Sequence, residues 1–308
     1  MVTRGALPYA PVGPIGPSGT PVLLARSRRN LVGARSMARE EQSVVVGVDG
    51  SGASARAALW AAAEAVRLSV PLRLVLVSDD PAREPYAKEL VHDIDARCRH
   101  AAGELDIVDE VAYGHPAAEL VHRSESARLL VVGSHGHGAL RGALLGSISA
   151  AVAAHATSPV VVVRGVGPAK SGPVVVGVDD SPGSRTALHY AFDAANRRSS
   201  ELVAVQALPN SYFTPGPHDG PDRDKLFTQA ELRLAEQVSA WSDAYPEVAV
   251  RRIVSNVPPV TALCDAAQHA QLLVVGQRGR GGFTALRLGS VARGVLHRAP
   301  CPVAVVPR

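Results

Sequence analysis

Cysteine, lysine and long apolar runs are scarce in this chain, and each scarcity closes a class of function. Three cysteines occur in 308 residues (Cys98, Cys264 and Cys301), widely spaced and with no CxxC. They form neither a disulfide framework nor a zinc site, they read as small buried hydrophobes, and they leave a reducing cytoplasm as the expected location. No apolar run approaches 18 residues, so a soluble globular protein is expected, with no membrane as partner. Lysine occurs three times, at Lys88, Lys170 and Lys225, and never in a glycine-rich loop. The GxxxxGK signature of a P-loop is therefore missing, and efficient phosphoryl transfer is hard to build without that lysine or an evident magnesium carboxylate. Nor does GxGxxG follow the first apolar strand, as a dinucleotide oxidoreductase requires.

Acidic residues are absent from residues 1–39, which carry six arginines, and these account for the formal net charge of +4. Without them, 26 basic residues stand against 28 acidic ones, a net of −2. The folded part is thus not a nucleic-acid binder on charge grounds. Residues 1–38, rich in Gly, Pro and Ser and without a periodic pattern, read as disordered, within an extension bounded at residue 42. The apolar stretch at 22–25 is too short for a secretory core and precedes its basic cluster instead of following it. Met37, six residues before the first strand, is a candidate translation start that an intact-mass measurement on the native protein decides.

What is present is a repeat. Residues 129–164 read as a buried strand, a glycine-rich loop, an alanine-rich helix and a second buried strand. The same grammar returns at 272–307. In both copies two residues separate the first two glycines and nine separate the second from a Gly-Ser pair: Gly133, Gly136, Gly146-Ser147, then Gly276, Gly279, Gly289-Ser290. The unit before each copy also repeats, opening with VVVGVD at 44–49 and again at 174–179. Asp49 to Val77 and Asp179 to Ala207 both span 28 residues. Asp49 to Gly133 spans 84 residues but Asp179 to Gly276 spans 97, and the extra 13 are placed in the turn-rich segment 209–224, read as a surface insertion with a lid or partner site as the alternative. The first helix, running to about residue 69 with Ser51 or Ser54 as its cap, should bury a stripe of Ala58, Leu59, Ala62, Ala65, Val66 and Ser69. Alternating apolar strands and helices predict two α/β domains, at 43–165 and 173–308, each a parallel sheet with helices on both faces.

In such a sheet, ligands bind beyond the carboxyl ends of the strands at the switch point. Asp49 and Asp179 end the first strands, Gly133 and Gly276 end the fourth, and the two strands lie side by side across that crevice. Glycine lets backbone N–H groups approach a phosphate, and the helix opened by Gly146-Ser147 adds free N–H groups and its positive dipole end. The Ser147 and Ser290 hydroxyls either cap their helices or donate to phosphate. A carboxylate opposite a phosphate cradle suits a ribose hydroxyl or an adenine amino group. The residues point to a nucleotide.

Both copies resemble the universal stress protein family of ATP-binding type, over essentially residues 43–308, in its motif of glycine, two residues, glycine, nine residues and glycine with Ser or Thr, and in VGVDGS and VGVDDS. The resemblance implies tandem Rossmann-like domains, each with a five-stranded parallel sheet, packed as an internal pseudo-dimer through the last strands at 160–164 and 302–306. It implies one ATP with Mg2+ per domain. Asp49 and Asp179 would contact adenosine beside Gly47 and Gly177, and Val77 and Ala207 would meet adenine through backbone groups. Val132, Gly133, Gly136, Gly146, Ser147 and Ile148 would hold ribose and phosphates in the first half, and Val275, Gly276, Gly279, Gly289, Ser290 and Val291 in the second. Further expectations are a homodimer through or beside the terminal strands and an unidentified regulatory protein partner. Arg278 and Arg280, where the first loop has His135 and His137, predict tighter or more salt-sensitive binding in the second half.

No catalytic or metal-binding residue is expected. His135 and His137 have no nearby Cys or carboxylate in sequence, and Ser134-His135 is set aside as a catalytic pair because adjacent loop residues rarely point at one another. The expected function is a non-enzymatic, nucleotide-dependent regulator in stress response. The alternative is a slow ATPase or phosphate-transferring signalling enzyme.

Overall fold

A computed structural model describes residues 42–136, 145–164, 171–208, 221–280 and 287–308, with 221–223 as backbone only. The expected disordered extension, His137 and the insertion at 209–220 lie outside these residues. The segment 221–224, assigned from sequence to that insertion, is instead the first turn of a helix.

Short valine- and leucine-rich runs form the strands because both their faces are covered. The first half runs β1 (Val44–Val48), α1 (Gly52–Leu68), β2 (Leu72–Ser78), a 3-10 turn (Pro81–Arg83), α2 (Glu84–Ala102), β3 (Ile107–Tyr113), α3 (Pro116–Arg123), β4 (Leu129–Gly133), α4 (Ser147–His155) and β5 (Val160–Val163). The second runs β6 (Val174–Gly177), α5 (Pro182–Arg197), β7 (Leu202–Ala207), α6 (Pro221–Ser242), β8 (Val250–Ser255), α7 (Pro259–Ala266), β9 (Leu272–Gly276), α8 (Ser290–Arg298) and β10 (Val303–Val306).

All these strands join one sheet in the order β3-β2-β1-β4-β5-β10-β9-β6-β7-β8. Pairing is parallel within each half. The seam is antiparallel, with Val303 opposite Val162 and Val305 opposite Val160. The two halves are thereby related by a local pseudo-twofold, and the terminal strands pair as the resemblance implied. With β4 and β10 flanking β5, and β5 and β9 flanking β10, neither strand has a free edge. A second chain has no ladder to join there and can dock only beside these strands.

Each face of the sheet carries one continuous apolar layer that crosses the seam. Val44, Val46, Leu72 and Leu74 face α1 and α2 in a layer that also contains Val174, Leu202 and Phe192 of the second half. Val45, Val75, Leu130 and Val162 lie on the other face with residues of α4 and their counterparts Val175, Leu273 and Val303. Burying each Val or Leu side chain stabilises by roughly 1.5–3 kcal/mol relative to exposure.

Helix α1 departs from its expected stripe. Ala58, Ala62 and Ala65 are fully buried, but Val66 is 49% exposed, and Ala57, Trp60, Ala61 and Glu64 are buried as well. Ser69, expected on the stripe, is exposed and forms the left-handed C-cap of the helix. The reason lies across the seam. Glu64 Oε2 accepts from Arg198 Nη2, at the end of α5, at 2.5 Å, so α1 is covered on a second side that its own periodicity does not reveal.

Candidate functional site

The order of strands makes the site. The chain runs outward from β1 through β2 to β3, then returns to β4 on the other side of β1. The gap opened at the carboxyl ends of β1 and β4 is the switch point, and β6 with β9 repeats it.

Asp49 directly follows β1 and is locked in place locally. Its Oδ1 accepts from Ser51 N at 3.0 Å, and its own N–H donates to Ser54 Oγ at 3.3 Å. Ser51 is the N-cap of α1, accepting from Ser54 N. In the second half Asp179 Oδ1 accepts from Ser181 N at 2.9 Å, Asp179 N donates to Ser184 Oγ at 2.8 Å, and Ser181 caps α5. The sequence signal for this device is D-x-S-x-x-S, at 49–54 and 179–184. Ser54 and Ser184 therefore belong to the site, although sequence reasoning weighed Ser54 only as an alternative cap and did not single out Ser184.

The carboxylates reach the glycine loops. A methyl group on Gly279 would stand 2.5 Å from Asp179 Oδ2, and one on Gly136 would collide with Asp49 Oδ2 in the same way. Asp179 Oδ2 also accepts from Arg280 N at 2.9 Å. The second glycine of each motif thus makes room for the aspartate of its own half, which differs from the expected reason, a close approach of phosphate. The first glycine serves helix packing: a methyl on Gly133 would meet Ala53 backbone at 2.9 Å, and one on Gly276 would meet Gly183 backbone at 2.9 Å. Gly47 and Gly177 likewise sit under Leu120 and Leu263.

Each loop is closed at its neck. Gly146 N donates to Ser134 O at 2.7 Å and Gly289 N to Gln277 O at 2.8 Å. Helices α4 and α8 then begin at Ser147 and Ser290, each with an extended glycine N-cap and no side-chain cap. Of the two roles left open for Ser147 and Ser290, capping is not the one adopted. Both are exposed, beside first-turn N–H groups that an anion can use. Ile148 is 39% exposed on the same turn, and Val291 is half-buried. Val132 and Val275 are buried, in register with Val162 and Val305. Val77 and Ala207 lie beyond the last residues in register with β1 and β6 and pair outward with Ala112 and Ser255.

The halves differ inside this shared frame. Ser149 Oγ donates to Gly133 O at 2.6 Å, where the second half has Ala292. Ser134 Oγ and His135 Nδ1 lie 2.9 Å apart, so these adjacent side chains do meet, contrary to the argument used to set them aside. Ser134 is buried at 5% exposure. Arg280 is ion-paired with Asp180 and Arg278 Nε donates to Arg287 O. The positive charge credited to the second loop is therefore partly neutralised by Asp180.

Side chains also cross between the halves. Gln277 Nε2 donates to Ala153 O and Ala154 O, at 3.3 and 3.1 Å, near the end of α4. Arg164 donates to Leu296 O and to His297 O near the end of α8. Each half thus caps the helix that opens at the other half's loop.

The fold and site define a tandem α/β protein with one switch-point crevice in each half. The family model "Universal stress protein family" matches residues 41–164 and again 171–307. The universal stress protein Rv2005c of Mycobacterium tuberculosis (strain H37Rv) is 37% identical over 292 residues, covering 88% of this chain and 98% of that protein. A second from the same strain, Rv1996, is 36% identical over 302 residues, covering 85% and 94%. Among solved structures, a universal stress protein from Archaeoglobus fulgidus DSM 4304 superposes with a TM-score of 0.64 at 22% identity, over 87% of this chain and 99% of that one. The chain belongs to the universal stress protein family and carries two of its domains.

Proposed function

We propose that the protein binds one ATP in each crevice and acts as a nucleotide-dependent regulator in stress response, in the cytoplasm and without rapid turnover. The observation that carries this reading is the uncapped, glycine-led start of α4 and of α8 beside a carboxylate locked at the end of β1 and of β6. The donor set fits the ligand. First-turn N–H groups with Ser147 and Ser290 suit phosphates, and the acceptor oxygens of the Asp49 and Asp179 carboxylates suit ribose hydroxyls. Magnesium, carried in on the phosphates, would screen their charge. The chain brings no lysine to either loop, which supports retention of ATP over its cleavage. A homodimer formed beside β5 and β10, or docking of a regulatory protein, is the expected reader of occupancy.

The test is to denature the purified chain and count the adenine nucleotide released. About two ATP per chain supports the reading, mostly ADP favours a slow ATPase, and no nucleotide with no uptake of added ATP overturns it.

A further inference from the structure

Away from both crevices, His92, Asp95 and Asp109 converge beside the outer strand of the first half. His92 and Asp95 lie three residues apart on α2 and so share one face. Asp109 is in β3, in register with Leu74 of β2. One ring nitrogen and one oxygen from each carboxylate lie within 4.8 Å of one another.

Asp95 is the informative member. It is 7% exposed, Arg99 Nε donates to its Oδ2 at 2.8 Å, and its Oδ1 is buried with no hydrogen-bond partner. A buried carboxylate oxygen without a partner is costly and rare, and it asks for a cation. Arg99 does not fill the need, since its Nη2 donates to Ile107 O at 3.1 Å. The neighbouring Cys98 is buried and is not among the side chains whose ligand atoms converge here.

We propose that His92, Asp95 and Asp109 bind one divalent transition-metal ion, Zn2+. An imidazole with two carboxylates suits Zn2+ better than Mg2+ or Ca2+, which prefer all-oxygen shells. Bonds of about 2.0–2.2 Å are reached by rotating the exposed His92 and Asp109 toward Asp95, which Arg99 holds still. Three protein ligands leave a position for water. Among the described residues the second half has no twin: Arg252 of β8 lies in register with Ala204 of β7, at the place where Asp109 meets Leu74. The stoichiometry is therefore one per chain, and the ion fastens α2 to the edge of the sheet.

The test uses the full chain, stripped with chelator and free of nucleotide, titrated calorimetrically with ZnCl2 and in parallel with MgCl2. One Zn2+ per chain is expected at micromolar concentration, at least tenfold weaker in His92→Ala and in Asp109→Asn, and unchanged in His135→Ala. Circular dichroism verifies that the variants are folded; both changes are at exposed positions. Zn2+ should raise the Tm of the unaltered chain and not of these two variants, and Mg2+ at the same concentration should do neither. No Zn2+ uptake by the folded chain, equal uptake in the two variants, or loss in His135→Ala instead overturns the proposal.

Discussion

The second glycine of each motif is decided by a contact with one carboxylate. Gly136→Ala and Gly279→Ala each place a methyl against an aspartate whose carboxylate accepts from the N–H of Ser51 or Ser181 and whose own N–H donates to Ser54 or Ser184, so that it cannot retreat without breaking its turn. Each variant should weaken ATP binding in its own half by tenfold or more, about 1.4 kcal/mol, and lower the nucleotide released from about two per chain toward one. Equal release from both variants and the unaltered chain would mean that the carboxylate does not shape the site. The cysteines allow a pH prediction. Burial raises the Cys98 thiol from 9.0 to about 11 and the Cys301 thiol from 9.0 to about 12. Between those values the unfolded chain releases protons that the folded chain keeps. Stability is therefore unaffected below about pH 9 and falls above it, by up to about tenfold in the folding constant per pH unit for each thiol. Denaturation series from pH 8 to 10.5 should show this slope, and Cys301→Ala should flatten it.

Among the elements, α1 and α5 do two jobs through one residue each. Ser51 and Ser181 cap their helices, and their backbone N–H groups hold the Asp49 and Asp179 carboxylates. Replacing Ser51 by alanine removes the cap, and replacing Ser181 removes the cap and a long 3.5 Å contact of its hydroxyl with Arg278 O, so urea unfolding should report a loss of about 1 kcal/mol while ATP binding in that half persists. A collapse of binding would show that the cap also sets the carboxylate. At α4 and α8 the design is reversed: the amino-terminal end is left open, and the carboxyl-terminal carbonyls are held by Gln277 and Arg164 from the other half.

For the whole molecule, the seam joins two halves that each resemble a complete domain. The β5–β10 ladder supplies the hydrogen bonds, and beside it Glu64, with no exposed surface, pairs with Arg198, whose side chain is 3% exposed. Burial and the Glu64 charge push the hydroxyl of the half-buried Tyr190 upward. Removing Arg198 leaves the buried Glu64 carboxylate facing, among the described residues, only the partly exposed Arg67, whose Nη1 stands 3.4 Å from Oε2. Arg198→Ala should therefore cost about 3–5 kcal/mol, read as a lower denaturation midpoint. The double variant Glu64→Met with Arg198→Met should recover most of it. A single variant as stable as the unaltered chain would show that the seam does not depend on this contact.

Strands and loops were legible because they are written locally. Runs such as 44–48 and 272–275 have no polar alternation, and the glycine spacing occurs twice in the same context. The repeat alone therefore determined two α/β halves and grouped Asp49, Gly133 and Ser147 at one crevice and their twins at the other. Contacts between residues far apart in the chain were not legible. Nothing near Val66 announces that it faces solvent while Glu64 is buried, because Arg198 arrives 134 positions away. Nothing in the loop says that Gly136 yields its space to Asp49, or that Arg280 is held by Asp180. His92 and Asp109 are joined only because α2 lies on the sheet beside β3. Periodicity and turn chemistry determine which elements form and which face of each is apolar. Which distant polar group meets which is decided when the sheet assembles, since strand order and the antiparallel seam bring those groups together.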